Sequence, residues 1–392
     1  MSFPDEAGMP EETSPLKGYT VIEIGHSVAA PYAGLILGQL GADVIKIENP
    51  RGGDAARGWG PPFIDGMGPH FTALNQNKSS VAVDLADEEQ CRQLKGLILD
   101  RGDVVICNLR AGSADKLGLG MRALLKEKPE LIYCELGAFG RGGPLSLRPG
   151  YDPLMQAYCG LMGVTGEDAT RPPIRVGVSM VDMGAGLWSV IGILAKLLSR
   201  RDSGVGGSVE TSLFETAIAW MVTPIARYGM DGTQQQPQGS GAAGIVPYQA
   251  FRTRSGWLVI AAGNDRIFAS LCDVMTRPDL ATDPRFLTNG DRVRNKHELL
   301  PLIEEFALRY DSDALSALLD NALIPNAPVR EVREVVSDEH LACLSLLNDA
   351  DGGRTVGLPI RFDGRRPAGF RPAPPLGQDT DWLLAPYRSA DC

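Results

Sequence analysis

Chemistry in this 392-residue chain must be done with a short set of side chains. No GxxxxGKS/T phosphate loop, HExxH pair, GxSxG elbow or CxxC pair occurs, and the histidines number four: His26, His70, His297 and His340. That argues against a P-loop, a protein-built zinc site and a Ser-His-Asp hydrolase. Carboxylates and backbone N–H groups remain. Asp152 stands in Gly150-Tyr151-Asp152-Pro153. An aspartate before a proline reads as the N-cap of a helix beginning near Pro153. A carboxylate is also a nucleophile that needs no deprotonation at pH 7. The run Gly137-Ala138-Phe139-Gly140-Arg141-Gly142-Gly143 follows a strand-like segment. It reads equally as a backbone-donor loop for an oxyanion and as a flexible turn.

These groups need a scaffold, and the first half of the chain alternates strand-like and helix-like segments. Residues 21–25, 43–48, 81–85, 104–109 and 131–136 have apolar, β-branched runs; 30–40 and 87–99 have helical spacing. The alternation predicts βαβ units and a parallel sheet covered by helices, an α/β class. Residues 181–198 are apolar nearly all round and predict a deeply buried helix. A strand over 205–211 and a helix over 213–228 follow. Residues 231–244 are rich in Gln, Gly, Ser and Pro and read as a linker. A β-hairpin is predicted at 248–261 around Arg254-Ser255-Gly256, then helices to about residue 319, as a smaller domain. The Pro- and Arg-rich stretch 359–375 is expected to run irregularly across the surface.

Composition narrows the partners. The net charge is −10, with 44% hydrophobic and 22% charged residues, as in ordinary globular proteins. The acidic balance argues against nucleic acid and anionic membrane, and a phosphorylated ligand would need a locally basic pocket. No uninterrupted apolar stretch looks long enough to span a bilayer. Residues 1–15 are acidic and Pro-rich and read as a disordered tail without signal-peptide features. The seven cysteines are scattered and read as buried free thiols, so a cytoplasmic location is expected. A nicotinamide site, the rival for an α/β chain, needs GxGxxG after the first strand. Here Gly25-His26-Ser27-Val28-Ala29-Ala30-Pro31 stands instead, which leaves a nicotinamide-dependent oxidoreductase as a weak alternative.

Four ordered segments together resemble the class III CoA-transferases, the family of formyl-CoA:oxalate and carnitine CoA-transferases, to which the α-methylacyl-CoA racemases are related. They are Ala30-Pro31 with the run from Leu40 to Glu48, Gly53-Asp54 and Arg57; Asn75-Gln76-Asn77-Lys78-Ser79-Ser80 with Asp84; Gly150-Tyr151-Asp152-Pro153 with Gln156-Ala157, Gly160 and Thr165-Gly166; and Val181-Asp182-Met183-Gly184. The resemblance implies a large Rossmann-like CoA-binding domain (16–228 with 340–392), a smaller α+β domain with linkers (229–339), and an interlocked homodimer.

It also implies that Asp152 is the nucleophile. Its carboxylate would attack an acyl-CoA thioester to give a mixed anhydride and CoA thiolate, and CoA would then pass to an acceptor acid. No metal or tightly bound cofactor is implied; CoA and acyl-CoA are substrates, with a small carboxylic acid as partner. By position, the family's CoA contacts fall on Val28, Ala29, Asn49, Val83, Asp84, Leu85, Ala86, Asn108, Leu109, Arg110, Lys116, Gly137, Ala138 and Phe139. Lys46, Arg51, Arg57 and Lys78 are further candidate cations, each of which also reads as a solvated surface charge. Val28, Asn49 and the loop 239–244 depart from the formyl-CoA:oxalate enzymes. An acyl-CoA racemase or epimerase is the alternative. It would need His at the position of Tyr151, paired with Asp182; the tyrosine favours transfer, with Asp182 then capping the 181–198 helix and His26 structural. Short dicarboxylates are plausible acids, with Arg148 or Arg175 as candidate readers of a second carboxylate.

Overall fold

The structure is a computed structural model that describes residues 14–350, 353–367 and 369–388; the tail expected over 1–15 lies outside them except for its last two residues. The chain forms two compact units. One takes Met1–Cys159, Val176–Val222 and Ala342–Cys392, the other Gly160–Arg175 and Thr223–Leu341.

The first unit is built on β1 (Thr20–Ile24), α1 (Ala29–Gln39), β2 (Asp43–Glu48), β3 (Lys78–Ala82), α2 (Glu88–Arg101), β4 (Val104–Cys107), β5 (Ile132–Gly137), α3 (Asp152–Tyr158), α4 (Met180–Ser203), β6 (Gly207–Ser212) and α5 (Leu213–Trp220). Its six strands are all parallel in the order β3-β2-β1-β4-β5-β6. The central strands are buried on both faces, which is why they read as unbroken apolar runs. Ile22 pairs with Ile45 on one side and Val105 on the other. The α/β class and the Rossmann-like sheet therefore stand as expected.

Four local expectations need correction. The third strand begins at Lys78 rather than at Val81; Lys78 and Ser80 are buried and tolerated because Glu23 and Glu48 bind them. The 213–228 helix breaks at Met221, where α6 (Val222–Asp231) begins. Pro224 in its first turn has no N–H to continue the preceding ladder. Helix α4 buries one face, including Val181, Ala185, Val190 and Ile193, but exposes Leu187, Trp188, Ile191 and Leu198. It is also, among the described residues, the one helix long and apolar enough to cross a membrane; its packed face makes it a core helix, against α1, β5 and β6. Finally, the 359–375 stretch is irregular but not merely superficial. Ala373 is buried, and the Pro374 carbonyl accepts from Arg57 Nη2 at 3.0 Å.

In the second unit, β7 (Tyr248–Arg252) and β8 (Trp257–Ala261) form the expected hairpin, and β9 (Asn326–Pro328) adds antiparallel to β8. Helices α7 (Asp265–Val274), α8 (Lys296–Ala307) and α9 (Ser312–Asn321) pack on it around Phe251, Leu258, Phe268, Phe286 and Ile303.

Candidate active site

A cleft of about 920 Å³ opens at the C-terminal ends of β1, β4, β5 and β6. The strand order reverses between β1 and β4, and ligands of doubly wound sheets bind at such a switch point.

The turn after β1 forms one wall and is tied down by side chains. Lys46 Nζ donates to the Gly25 carbonyl at 2.9 Å. Asn108, after β4, accepts from the His26 N–H and donates to the His26 carbonyl, both at 3.0 Å. The Ser27 N–H donates to Asp54 Oδ1 at 3.0 Å. Ser27 has φ 71°, a left-handed conformation that costs a non-glycine residue about 1–2 kcal/mol and that these bonds offset. His26 lines the cleft, and its backbone is tied down on both sides by Asn108. Burial lowers its pKa, against the pull of Asp54.

Asp54 and Lys46 belong to a buried ionic cluster. Lys46 Nζ lies 2.8 Å from Glu23 and 3.0 Å from Asp54; Lys78 Nζ lies 2.7 Å from Glu23. Arg57 forks onto Glu48 at 2.7 and 2.8 Å. Two carboxylates outweigh burial at Lys46 and raise its pKa, whereas burial lowers Lys78 to about 8. Lys46, Lys78 and Arg57 are thus neither solvated charges nor available to a phosphorylated ligand.

Asp152 is 2% exposed and occupies the first turn of α3, whose N-cap is Tyr151. The expected cap is real, but on a different helix. Asp152 Oδ2 accepts from the Val181 N–H at 2.7 Å and the Asp182 N–H at 3.2 Å, closing the start of α4. Oδ1 accepts from Gln156 Nε2 at 2.6 Å, and Gln156 Oε1 accepts from the Val176 N–H at 2.9 Å. Tyr151 and Asp182, its neighbours in sequence and in this cap, both line the cleft. Asp182 therefore does not serve as the α4 cap. Burial, with the negative charge of Asp152, pushes its pKa up to about 7. Gly150 precedes this pair because a Cβ there would meet Met155 Cε at 2.2 Å and Ala138 Cβ at 3.1 Å.

Of the residues expected to hold CoA, Val28, Ala29, Asn108, Leu109, Arg110, Gly137 and Ala138 line the cleft together. Phe139 does not; it packs edge-on to Tyr158 at 5.5 Å and stacks on Phe214 at 6.0 Å. Lys116 ends a one-turn helix and is exposed away from the lining. Asn49 and residues 83–86 gather at the ends of β2 and β3: the Val83 N–H donates to the Glu48 carbonyl, and Asp84 pairs with Arg51 at 3.1 Å. Leu85 and Ala86 continue that strand end, outside the cleft. Asp54 as a turn anchor had no sequence signal, since its partners lie 8 and 27 residues away.

The comparisons agree with one another. A model of CoA-transferase family III matches residues 16–380. Succinyl-CoA:glutarate CoA-transferase of Mus musculus is 35% identical over 380 residues, 95% of this chain and 86% of that protein. Succinate–glutarate CoA-transferase of Agrobacterium fabrum is 33% identical, with 96% of each chain covered. The crystal structure of a CAIB/BAIF family protein from Brucella suis superposes with a TM-score of 0.86 at 34% identity, covering 96% of this chain and all (100%) of that one. With its parallel sheet, its switch-point cleft and Asp152 beside it, the chain belongs to CoA-transferase family III.

Proposed function

We propose that the protein moves CoA from an acyl-CoA to a short dicarboxylic acid, with Asp152 as the nucleophile. The observation that carries this reading is the Asp152 carboxylate itself, fixed by three hydrogen-bond donors between two residues that line the cleft. A lone pair of Asp152 attacks the thioester carbon, the C–S bond breaks, and CoA leaves as thiolate, giving a mixed anhydride. Return of the thiolate to the aspartyl carbonyl releases the first acid and leaves CoA on Asp152. The acceptor carboxylate and the thiolate then repeat the two steps in reverse, restoring Asp152 with no net proton or water consumed.

In this reading Val28, Ala29, Asn49, residues 83–86, Asn108 and Leu109 contact CoA, Arg110 and Lys116 supply the positive charge its phosphates need, and Gly137 and Ala138 lie against its thiol end. The dicarboxylate class is supported by the relatives named for succinate and glutarate. A homodimer is supported by the exposed apolar face of α4.

The test is intact-mass spectrometry after incubation with succinyl-CoA and trapping with hydroxylamine. A modification at Asp152 with CoA release, absent from Asp152→Ala, is expected. No adduct, with α-deuterium incorporation from heavy water, would replace transfer by racemisation.

A further inference from the structure

We infer that Arg148 reads the second carboxylate of a dicarboxylic substrate and so sets the preference for diacids over monoacids. The inference rests on the transferase reading above.

Four arginines line the cleft: Arg110, Arg122, Arg141 and Arg148. Arg141 is committed, since it pairs with Glu135 and, at 3.2 Å, with Glu210. Arg110 follows β4, and Arg122 lies on the helix Met121–Glu127. Arg148 and Arg141 share the loop between β5 and α3, and Arg148, four residues before Asp152, is the one of the two without an acidic partner.

Its guanidinium is held by aromatic rings rather than by anions. The carbon Cζ stands 5.7 Å from the Phe139 ring centroid and 5.8 Å from that of Tyr158. Those two rings meet edge-on at 5.5 Å, and Phe139 also stacks on Phe214, so the shelf is itself braced. Cation–π contact orients an arginine without using its N–H fork. Among the described residues no carboxylate or carbonyl accepts from this guanidinium. An exposed, oriented and unspent fork on the loop that leads into Asp152 suits a ligand with one carboxyl group at Asp152 and another a short aliphatic chain away, because bidentate pairing matches carboxylate geometry. A monoacid gains nothing from it. Phe139, expected among the CoA contacts, acts in this account by positioning Arg148.

The test compares wild type, Arg148→Gln and Arg148→Lys in transfer from succinyl-CoA to glutarate and in exchange between acetyl-CoA and acetate. For Arg148→Gln the loss in kcat/KM for glutarate should exceed the loss for acetate by about ten- to a hundredfold, and should appear in KM for the diacid. Arg148→Lys, which keeps the charge without the fork, should recover part of the difference. Equal losses for both acids, or no loss, would overturn the inference. Wild-type protein that exchanges CoA with neither acid and forms no trapped adduct at Asp152 would remove the transferase reading, and this inference with it. Normal monoacid exchange with an unchanged acid ratio would remove the inference alone.

Discussion

Asp152 Oδ2 accepts from the Val181 N–H at 2.7 Å, so a carboxylate in the first turn of α3 closes the N-terminus of α4, 29 residues away in sequence. Helix N-termini carry unsatisfied N–H groups and partial positive charge, both of which favour an anion. The same contact that completes α4 therefore fixes the carboxylate proposed as the nucleophile. Gln156, one turn along α3, holds the other oxygen and is itself held by the Val176 N–H. In the proposed mechanism cap and nucleophile are one residue, and its two duties separate on mutation.

Asp152→Asn preserves an oxygen for the α4 N–H groups but not a nucleophile. Transfer activity should fall a thousandfold or more, as when a covalent nucleophile is lost, while the α4 N–H groups stay capped and stability falls only through the amide NH2 that now faces Gln156 Nε2. Asp152→Ala removes the cap as well and should cost about 1 kcal/mol of stability in addition. Equal stability of the two variants in urea unfolding would show that the cap contributes nothing.

Asp182 makes stability depend on pH with a definite sign. Its ordinary pKa is 3.8, and burial with the Asp152 charge raises it to about 7 in the folded chain. Between those values the folded state keeps a proton that the unfolded state has released, so stability falls as pH rises from about 4 to about 7 and is level above. Asp182→Asn removes this slope. The melting temperature of the variant minus that of wild type should grow from pH 4 to pH 7 and then stay constant. A difference independent of pH would contradict the assignment.

The ionic cluster behind the β1 turn is sensitive at its centre. Glu23 bridges Lys46 and Lys78 with every side chain fully buried. Glu23→Gln would leave Lys78 without its carboxylate partner and Lys46 with Asp54 alone, and should cost about 3–5 kcal/mol in chemical unfolding. Gly34→Ala tests the same spot from α1, because its Cβ would fall 2.1 Å from Glu23 Oε2. The chain must shift one or the other, so destabilisation is expected there too. Wild-type stability for both variants would mean the cluster is not the anchor of this corner.

How far these features were legible depends on whether a local pattern encodes them. Strands β1, β2, β4 and β5 were readable because double burial demands apolar runs. The start of β3 was hidden, since Lys78 and Ser80 are polar yet buried, satisfied by Glu23 on β1 and Glu48 on β2. The segment Gly150-Tyr151-Asp152-Pro153 announced a cap, but its local spacing pointed to α3. The N–H groups it serves belong to α4, and no periodicity spans that separation. Asp182 was misread for the same reason: its place three residues into a helix suggests a cap, whereas Asp152 already fills that role. Arg148 was visible as a charge only; the rings that orient it come from β5's end, α3 and α5.

The exposed face of α4 yields the last prediction. Leu187, Trp188 and Ile191 are 43%, 42% and 55% exposed, adjacent on one side of a helix whose other side is packed. Large apolar side chains grouped in this way mark an interaction surface, and aromatic residues in such patches carry much of the binding energy. A second copy of the chain is the proposed occupant. Wild-type protein should then show the mass of a dimer in light scattering, near twice 42.0 kDa. Trp188→Glu, which places a charge in the centre of the patch, should shift the population to monomer with an unchanged far-UV circular dichroism spectrum. If the variant stays dimeric, the subunits meet elsewhere; if wild type is already monomeric, the α4 face serves some other partner and the homodimer falls.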